Sequence, residues 1–219
     1  MELLDKLNKE QKEAVMHVDG PVLVMAGAGS GKTKVLTTRI AYLIDQGIND
    51  YNILAITFTN KAAKEMRDRV NNIIGDCHSF IGTFHSLGLR IIRENNTFFN
   101  LPNNFTIIDS DDTNTIVKRI LKDMNLDSKQ YSPSYVRNRI SFIKNQMLSD
   151  MELDKLFNTP MDKVVVEVYH KYNEKLRTSA SVDFDDLLVL PVELFQKNKE
   201  ALEHYQDKFK YILIDEYQD

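Results

Sequence analysis

The sequence predicts an α/β protein: a parallel sheet carrying crossover helices, with an all-helical segment inserted into the sheet domain. Three observations predict it. Residues 21–44 read as an apolar strand, a glycine-rich loop and an amphipathic helix, in that order. Further apolar runs at 51–59, 79–83, 105–109 and 211–214 alternate with helical periodicity, the order that gives parallel strands joined by right-handed crossovers. From about residue 110 to residue 180 the strand-like runs stop and only helical patterns continue.

Composition bounds the reading. The chain has 219 residues, 42% hydrophobic and 27% charged, enough apolar mass for one large domain or two small ones. No run approaches the roughly 18 apolar residues of a membrane span, and Met1–Lys6 lacks the apolar core of a signal peptide, so a cytoplasmic protein with no membrane partner is expected. A single cysteine, Cys77, excludes an internal disulfide and a cysteine-rich metal site. The net charge of −4 argues against coating nucleic acid through bulk positive charge, yet leaves room for a local groove. The chain stops directly after a strand and a pair of carboxylates, which reads as a fragment of a longer protein.

Taken in order, Leu7-Asn8-Lys9-Glu10-Gln11 opens a helix, with Asn8 as N-cap and Gln11 at the capping-box position. Gln11 has a second reading, since a carboxamide can donate to and accept from the edge of adenine at once. The run Pro21-Val22-Leu23-Val24-Met25 reads as a buried strand leading into Ala26-Gly27-Ala28-Gly29-Ser30-Gly31-Lys32-Thr33. Such a loop turns successive N–H groups toward anionic oxygens, and the following helix N-terminus adds to the attraction. Lys32 would reach the β/γ-phosphates and the Thr33 hydroxyl would hold Mg²⁺. Ala26 replaces the usual leading glycine, which is tolerable if that position needs no positive φ.

Tyr51–Asn60 is the next strand, running into polar residues around Phe58, and the segment after it carries Ala62, Ala63, Met66, Val70 and Ile73 at helical spacing. Phe58, among Thr57, Thr59 and Asn60 at the carboxyl end of its strand, is either core or a platform for a nucleic-acid base. Ser79–Thr83 is a third strand; Thr83, His85 and Ser86 cluster at its end as donors suited to phosphate oxygens. Phe105–Asp109 is a short fourth strand.

Three helices then follow: Thr113 to Met124, one begun by Ser132-Pro133 and one begun by Thr159-Pro160. Arg137, Arg139 and Lys144 on the second, and Lys171, Lys175 and Arg177 on the third, read as solvated faces. Ser181–Leu188 begins a helix whose acidic first turn is explained by capping. Finally Tyr211–Ile214 is a strand ending in Asp215-Glu216. Downstream of a phosphate-binding loop, a strand-end Asp holds Mg²⁺ and a neighbouring Glu polarises the attacking water.

With these motifs assembled, the chain resembles the amino-terminal part of the UvrD/Rep-like superfamily 1 DNA helicases. Gln11, Ala26–Thr33, Thr57–Ala63, Gly82–Ser86, Asp183–Leu187 and Asp215–Asp219 match that family's motifs in order across essentially the whole chain. The resemblance implies a RecA-like P-loop ATPase domain, residues 1–108 and 181–219, interrupted by a helical subdomain at 109–180. It implies ATP and Mg²⁺ as cofactors, with Gln11 on adenine, the loop and Lys32 on phosphates, Thr33 and Asp215 on the metal and Glu216 activating water. Lys34 stands where several relatives have an arginine near the adenine. Thr57, Phe58, Thr59, Asn60, Thr83 and His85 would line single-stranded DNA, and junctions with duplex would be substrates. It further implies that a second RecA-like domain of the full-length chain closes on ATP with arginine fingers while the protein moves 3′ to 5′. Two other classes remain readable: an ATP-dependent binding module that does not hydrolyse, and a small-molecule kinase.

Overall fold

The computed structural model describes residues 2–127 and 129–218; Asp219, the last residue of the terminal acidic motif, lies outside the described residues. In chain order the elements begin with α1 (Glu2–Asp5), α2 (Lys9–Met16), α3 (Lys32–Asp45), β1 (Ile53–Ile56), α4 (Asn60–Ile74), β2 (Phe80–Gly82) and α5 (Phe84–Glu94). Then come β3 (Thr106–Ile107), α6 (Ser110–Asp123), α7 (Pro133–Asn145), α8 (Asp150–Leu156) and α9 (Pro160–Thr178). The order closes with β4 (Ser181–Val182), α10 (Asp186–Lys197), α11 (Lys199–Lys208) and β5 (Tyr211–Ile214). They divide into two compact units, one made of the residues up to Leu87 plus those from Lys199 on, the other Gly88–Asn198.

The first unit is built on a parallel sheet of order β2-β1-β5. All four residues of the central strand β1 are buried, as a strand covered on both faces must be. Ile40 and Leu43 of α3 and Met66 and Val70 of α4 pack with Ile53, Ala55, Ile81 and Leu213 of the strands in one cluster. The register sets Ile56 beside both Gly82 and Ile214, so the carboxyl ends of all three strands lie on one edge. The architecture is therefore mixed α/β with a parallel sheet, as the alternating pattern predicts.

One expected strand is not formed. Residues 21–27 have no regular structure, and Leu23 and Met25 are 72% and 90% exposed. An apolar run becomes a strand only where a neighbouring edge takes up its N–H and C=O groups. Among the described strands, β2 and β5 each pair with β1 alone, and residues 21–25 join neither of their outer edges.

In the second unit, β3 and β4 pair in parallel through Thr106↔Ser181 and Ile107↔Val182. The chain therefore enters and leaves the stretch 109–180 at adjacent points. Its core is Val117, Ile120 and Leu121 of α6, Val136 and Ile140 of α7, and Val168, Tyr172 and Leu176 of α9. The Ser132 and Thr159 caps, each with Pro at the helix start, form as predicted. The three expected helices are joined by a fourth, α8, too short for its periodicity to stand out.

The reading of Lys144 as a solvated charge is overturned. It is 5% exposed and ion-paired at 2.8 Å to both Asp183 and Asp186, partners some 40 residues away that helical periodicity cannot reveal. Arg139 is also half-buried, paired with Asp162 at 3.5 Å and lying 4.5 Å over the Phe157 ring.

Gly88 of α5 allows α10 to approach closely: a Cβ there would lie 1.8 Å from the Leu187 carbonyl oxygen. Backbone cannot yield as a side chain can. Gly88→Ala is expected to destabilise this unit by about 3 kcal/mol or more, at the upper end of overpacking costs, read as a lower urea midpoint.

Candidate nucleotide and nucleic-acid site

The loop at 26–31 owes its shape to two glycines. Gly29 (φ +74°) and Gly31 (φ +87°) take left-handed backbone, and Ala26 is not among the positive-φ residues, so its methyl group costs nothing there. The Ser30 hydroxyl donates to the Gly27 carbonyl at 2.7 Å and tightens the turn. Gly31 is the N-cap of α3, whose first residues are Lys32 and Thr33. A helix start leaves its first N–H groups without partners inside the helix, and such an end attracts anions.

Gln11 reaches this loop. Its Oε1 accepts from the Asn8 N–H at 3.1 Å while Asn8 Oδ1 accepts from the Gln11 N–H at 2.8 Å, a complete capping box on α2. Its Nε2 donates to the Ser30 carbonyl at 2.9 Å. A Cβ on Gly31 would lie only 2.9 Å from that Nε2. The amino-terminal helices are tied to α3 twice more, by Arg39 donating to the Ala14 and Val15 carbonyls and by Lys34 Nζ donating to the Lys6 carbonyl. Burial lowers the pKa of Arg39 from its usual value.

At the far end of the chain, the Asp215 N–H donates to the Ile56 carbonyl at 2.8 Å, extending the β1–β5 ladder by one rung. Glu216 then takes a left-handed backbone at φ +52°, rare for a side-chain-bearing residue outside glycine and worth notice at a strand end. Its Oε1 lies 3.9 Å from Lys32 Nζ, which also donates to the Ala26 carbonyl at 3.4 Å. Lys32 and Glu216 thus converge from opposite ends of the sequence. Burial, and then the adjacent Glu216 carboxylate, raise the pKa of Asp215 against a smaller pull from Lys32.

Residues 7–219 match the UvrD/REP helicase N-terminal domain. The chain belongs to that family. Among its relatives are proteins named ATP-dependent DNA helicase PcrA from Staphylococcus aureus and Staphylococcus epidermidis. Each is 46% identical over 220 residues, covering 99% of this chain and 30% of the relative. The chain thus spans about 30% of the length of these curated relatives.

In this UvrD/REP N-terminal domain the residues expected along DNA divide in two. Phe58 is 68% exposed, just beyond the carboxyl end of β1, and Asn60 is exposed at the start of α4. His85 is half-buried at the start of α5. Thr57 and Thr83 are instead buried. The Thr57 N–H donates to the Gly82 carbonyl, and Thr83 is closed into a reciprocal cap with Ser86, whose N–H donates to Thr83 Oγ1 at 3.2 Å and whose hydroxyl donates to the Thr83 carbonyl at 2.8 Å. Thr59 is likewise used as the N-cap of α4, accepting from the Ala62 N–H at 3.1 Å.

Sequence reasoning passed over Phe84. It stands two positions beyond the last paired residue of β2, as Phe58 does for β1, and is 50% exposed. The sequence signal is the same as for Phe58, an aromatic residue directly after a strand in a polar setting.

The Asp215 environment is checked by carbon-detected titration of its carboxyl. Glu216→Gln should bring its pKa down toward the ordinary range by removing a like charge, and Lys32→Ala should push it further up.

Proposed function

We propose that this chain is the nucleotide-binding part of an ATP-dependent DNA helicase that moves 3′ to 5′ along single-stranded DNA. The observation that supports this most is the approach of Lys32 to Glu216 at the carboxyl edge of a parallel sheet, the edge where such folds bind ligands. In this reading residues 1–108 and 181–219 make a RecA-like ATPase domain and 109–180 its helical subdomain. The loop from Ala26 through Gly27, Ala28, Gly29 and Ser30 to Gly31 wraps the phosphates, Lys32 neutralises them, and Gln11 and Lys34 lie on the adenine side.

The residues fit Mg²⁺. Asp215 carries a carboxylate whose ionisation is disfavoured by burial and by Glu216, a state that a divalent cation relieves. With the Thr33 hydroxyl it offers the hard oxygen donors the ion prefers, the remaining positions falling to phosphate and water. The bound ion would neutralise charge on the phosphates. Glu216 would orient and deprotonate the attacking water, and the left-handed backbone at that residue fixes where its carboxylate starts.

Phe58 and Phe84 would offer stacking faces for bases, and Asn60 and His85 polar contacts to the strand, with DNA junctions as substrates of the whole protein. The buried hydroxyls of Thr57 and Thr83 would act through the backbone positions they stabilise. Closure on ATP would need the second RecA-like domain of the full-length chain. Because arginine fingers contribute about 10³–10⁵ in rate, these residues alone should bind ATP and hardly hydrolyse it. A cytoplasmic place of action follows from the same reading; among the described residues no helix is long and apolar enough to cross a membrane.

Single-stranded DNA should raise the ATPase rate of the full-length protein many-fold, and a rate indifferent to DNA would remove the translocase reading. For the nucleotide site, Lys32→Ala should abolish retention of ATP by this chain in equilibrium dialysis. Phe58→Ala should weaken binding of an oligo-dT strand at low salt by about 1–3 kcal/mol, the worth of one stacked base, while leaving the melting curve in place.

A further inference from the structure

The unit Gly88–Asn198 holds a buried charge cluster that the ATPase reading does not use. Lys144 Nζ, near the end of α7, donates to Asp183 Oδ2 and to Asp186 Oδ1, both at 2.8 Å, and lies 5.2 Å over the Tyr172 ring. Tyr172 of α9 is fully buried and donates its hydroxyl to the same Asp183 Oδ2 at 2.8 Å. The two aspartates close the β4–α10 turn on each other: the Asp186 N–H donates to Asp183 Oδ1 at 2.9 Å and the Asp183 N–H to Asp186 Oδ2 at 3.1 Å. On the intervening Asp185, Oδ1 accepts from Ser141 and Asn145 of α7. Three parts of the chain therefore meet at one point, and every polar atom named has a partner.

The charges do not balance. One ammonium faces two carboxylates, Asp183 buried and Asp186 mostly so, and an uncompensated charge in such surroundings is costly unless a proton or a partner removes it. Burial, and then the Asp183 charge, push Asp186 up to about 6 against the pull of Lys144. Although burial works the other way, Lys144 and its hydrogen bonds hold Asp183 below the usual carboxylate range. The other ionisable groups around Asp186 are few. Tyr169 and Arg177 of α9 and the Glu193–Lys197 pair of α10 line a groove of about 540 Å³ that Asp186 also borders. Burial raises the Tyr169 hydroxyl, with Asp186 and Asp150 of α8 contributing in the same direction.

We propose that Lys144, Asp183 and Asp186 form a latch that fastens α7 to the turn closing the helical insert, and that gain or loss of one proton sets how firmly it holds. The sign follows from linkage. Between the ordinary Asp value of 3.8 and about 6, the folded chain keeps a proton that the unfolded chain has released. Within that window the Asp186 contribution falls as pH rises, and it stays low above it.

Amide hydrogen exchange on the whole chain tests this, read by mass spectrometry near pH 5 and near pH 7.5 and corrected for the intrinsic pH dependence of exchange. Protection of the α7 amides should fall about tenfold or more between the two conditions relative to those of β1, which lies in the other unit. Asp186→Asn should keep α7 protected and abolish that step. Lys144→Met should lose α7 protection near pH 7.5 and regain part of it near pH 5, where the carboxylates take up protons. A wild-type α7 that tracks β1 at both pH values would overturn the proposal with no variant needed. So would an Asp186→Asn chain that retains the wild-type step.

Discussion

Everything at the candidate site depends on one parallel pairing, β1 against β5. These strands are separated by most of the chain, yet Ile56 and Ile214 are register partners and the next rung is the Asp215 N–H on the Ile56 carbonyl. Pairing so distant carries a large loop-closure cost before any contact repays it, and β1 repays it by being buried at every residue. Once it forms, the two carboxylates after β5 can occupy only the edge on which Phe58 follows β1 and Phe84 follows β2. The placement of those side chains is thus a consequence of register.

Much of this was legible because local rules and the global fold agree. The Asn8–Gln11 capping box, the proline starts of α7 and α9, and the apolar faces of α3, α4 and α6 need only residues within a few positions of one another. The β1 run was readable because a strand buried on both faces is apolar throughout, and the β2 and β5 runs because they are short apolar stretches bounded by polar residues. The failures share one cause, a partner remote in sequence. Pro21–Met25 has a strand's composition but pairs with no described strand, while Lys144 has the spacing of a surface residue and is buried because two aspartates some 40 residues away receive its charge.

The two readings of Gln11 prove to compete for the same atoms. Its oxygen already accepts from Asn8 and its nitrogen already donates to Ser30. A base edge offered to that carboxamide exchanges hydrogen bonds and adds few, so the net gain is the small remainder that such exchanges leave, about 1 kcal/mol. What the exchange would alter is the tether on Ser30, and through it Gly31, whose left-handed backbone sets the start of α3. On the proposed reading of the base position, Gln11 would couple its occupancy to the shape of the loop at 26–31 more than it would supply affinity.

Lys32 and Lys144 show how the same side chain is assigned to opposite purposes by its surroundings. Lys144 is enclosed, with two carboxylate oxygens at 2.8 Å that use its charge fully and leave a surplus of negative charge. Lys32 is one-third exposed, 3.4 Å from a carbonyl and 3.9 Å from a single carboxylate oxygen, both longer than a strong charge-assisted hydrogen bond. A cation so loosely engaged gives up little when an anion approaches, and the glycine turn and helix start beside it favour the same sign of charge. On the proposed reading Lys32 would need to be held near its position yet kept underused, and the length of those two contacts is compatible with both demands.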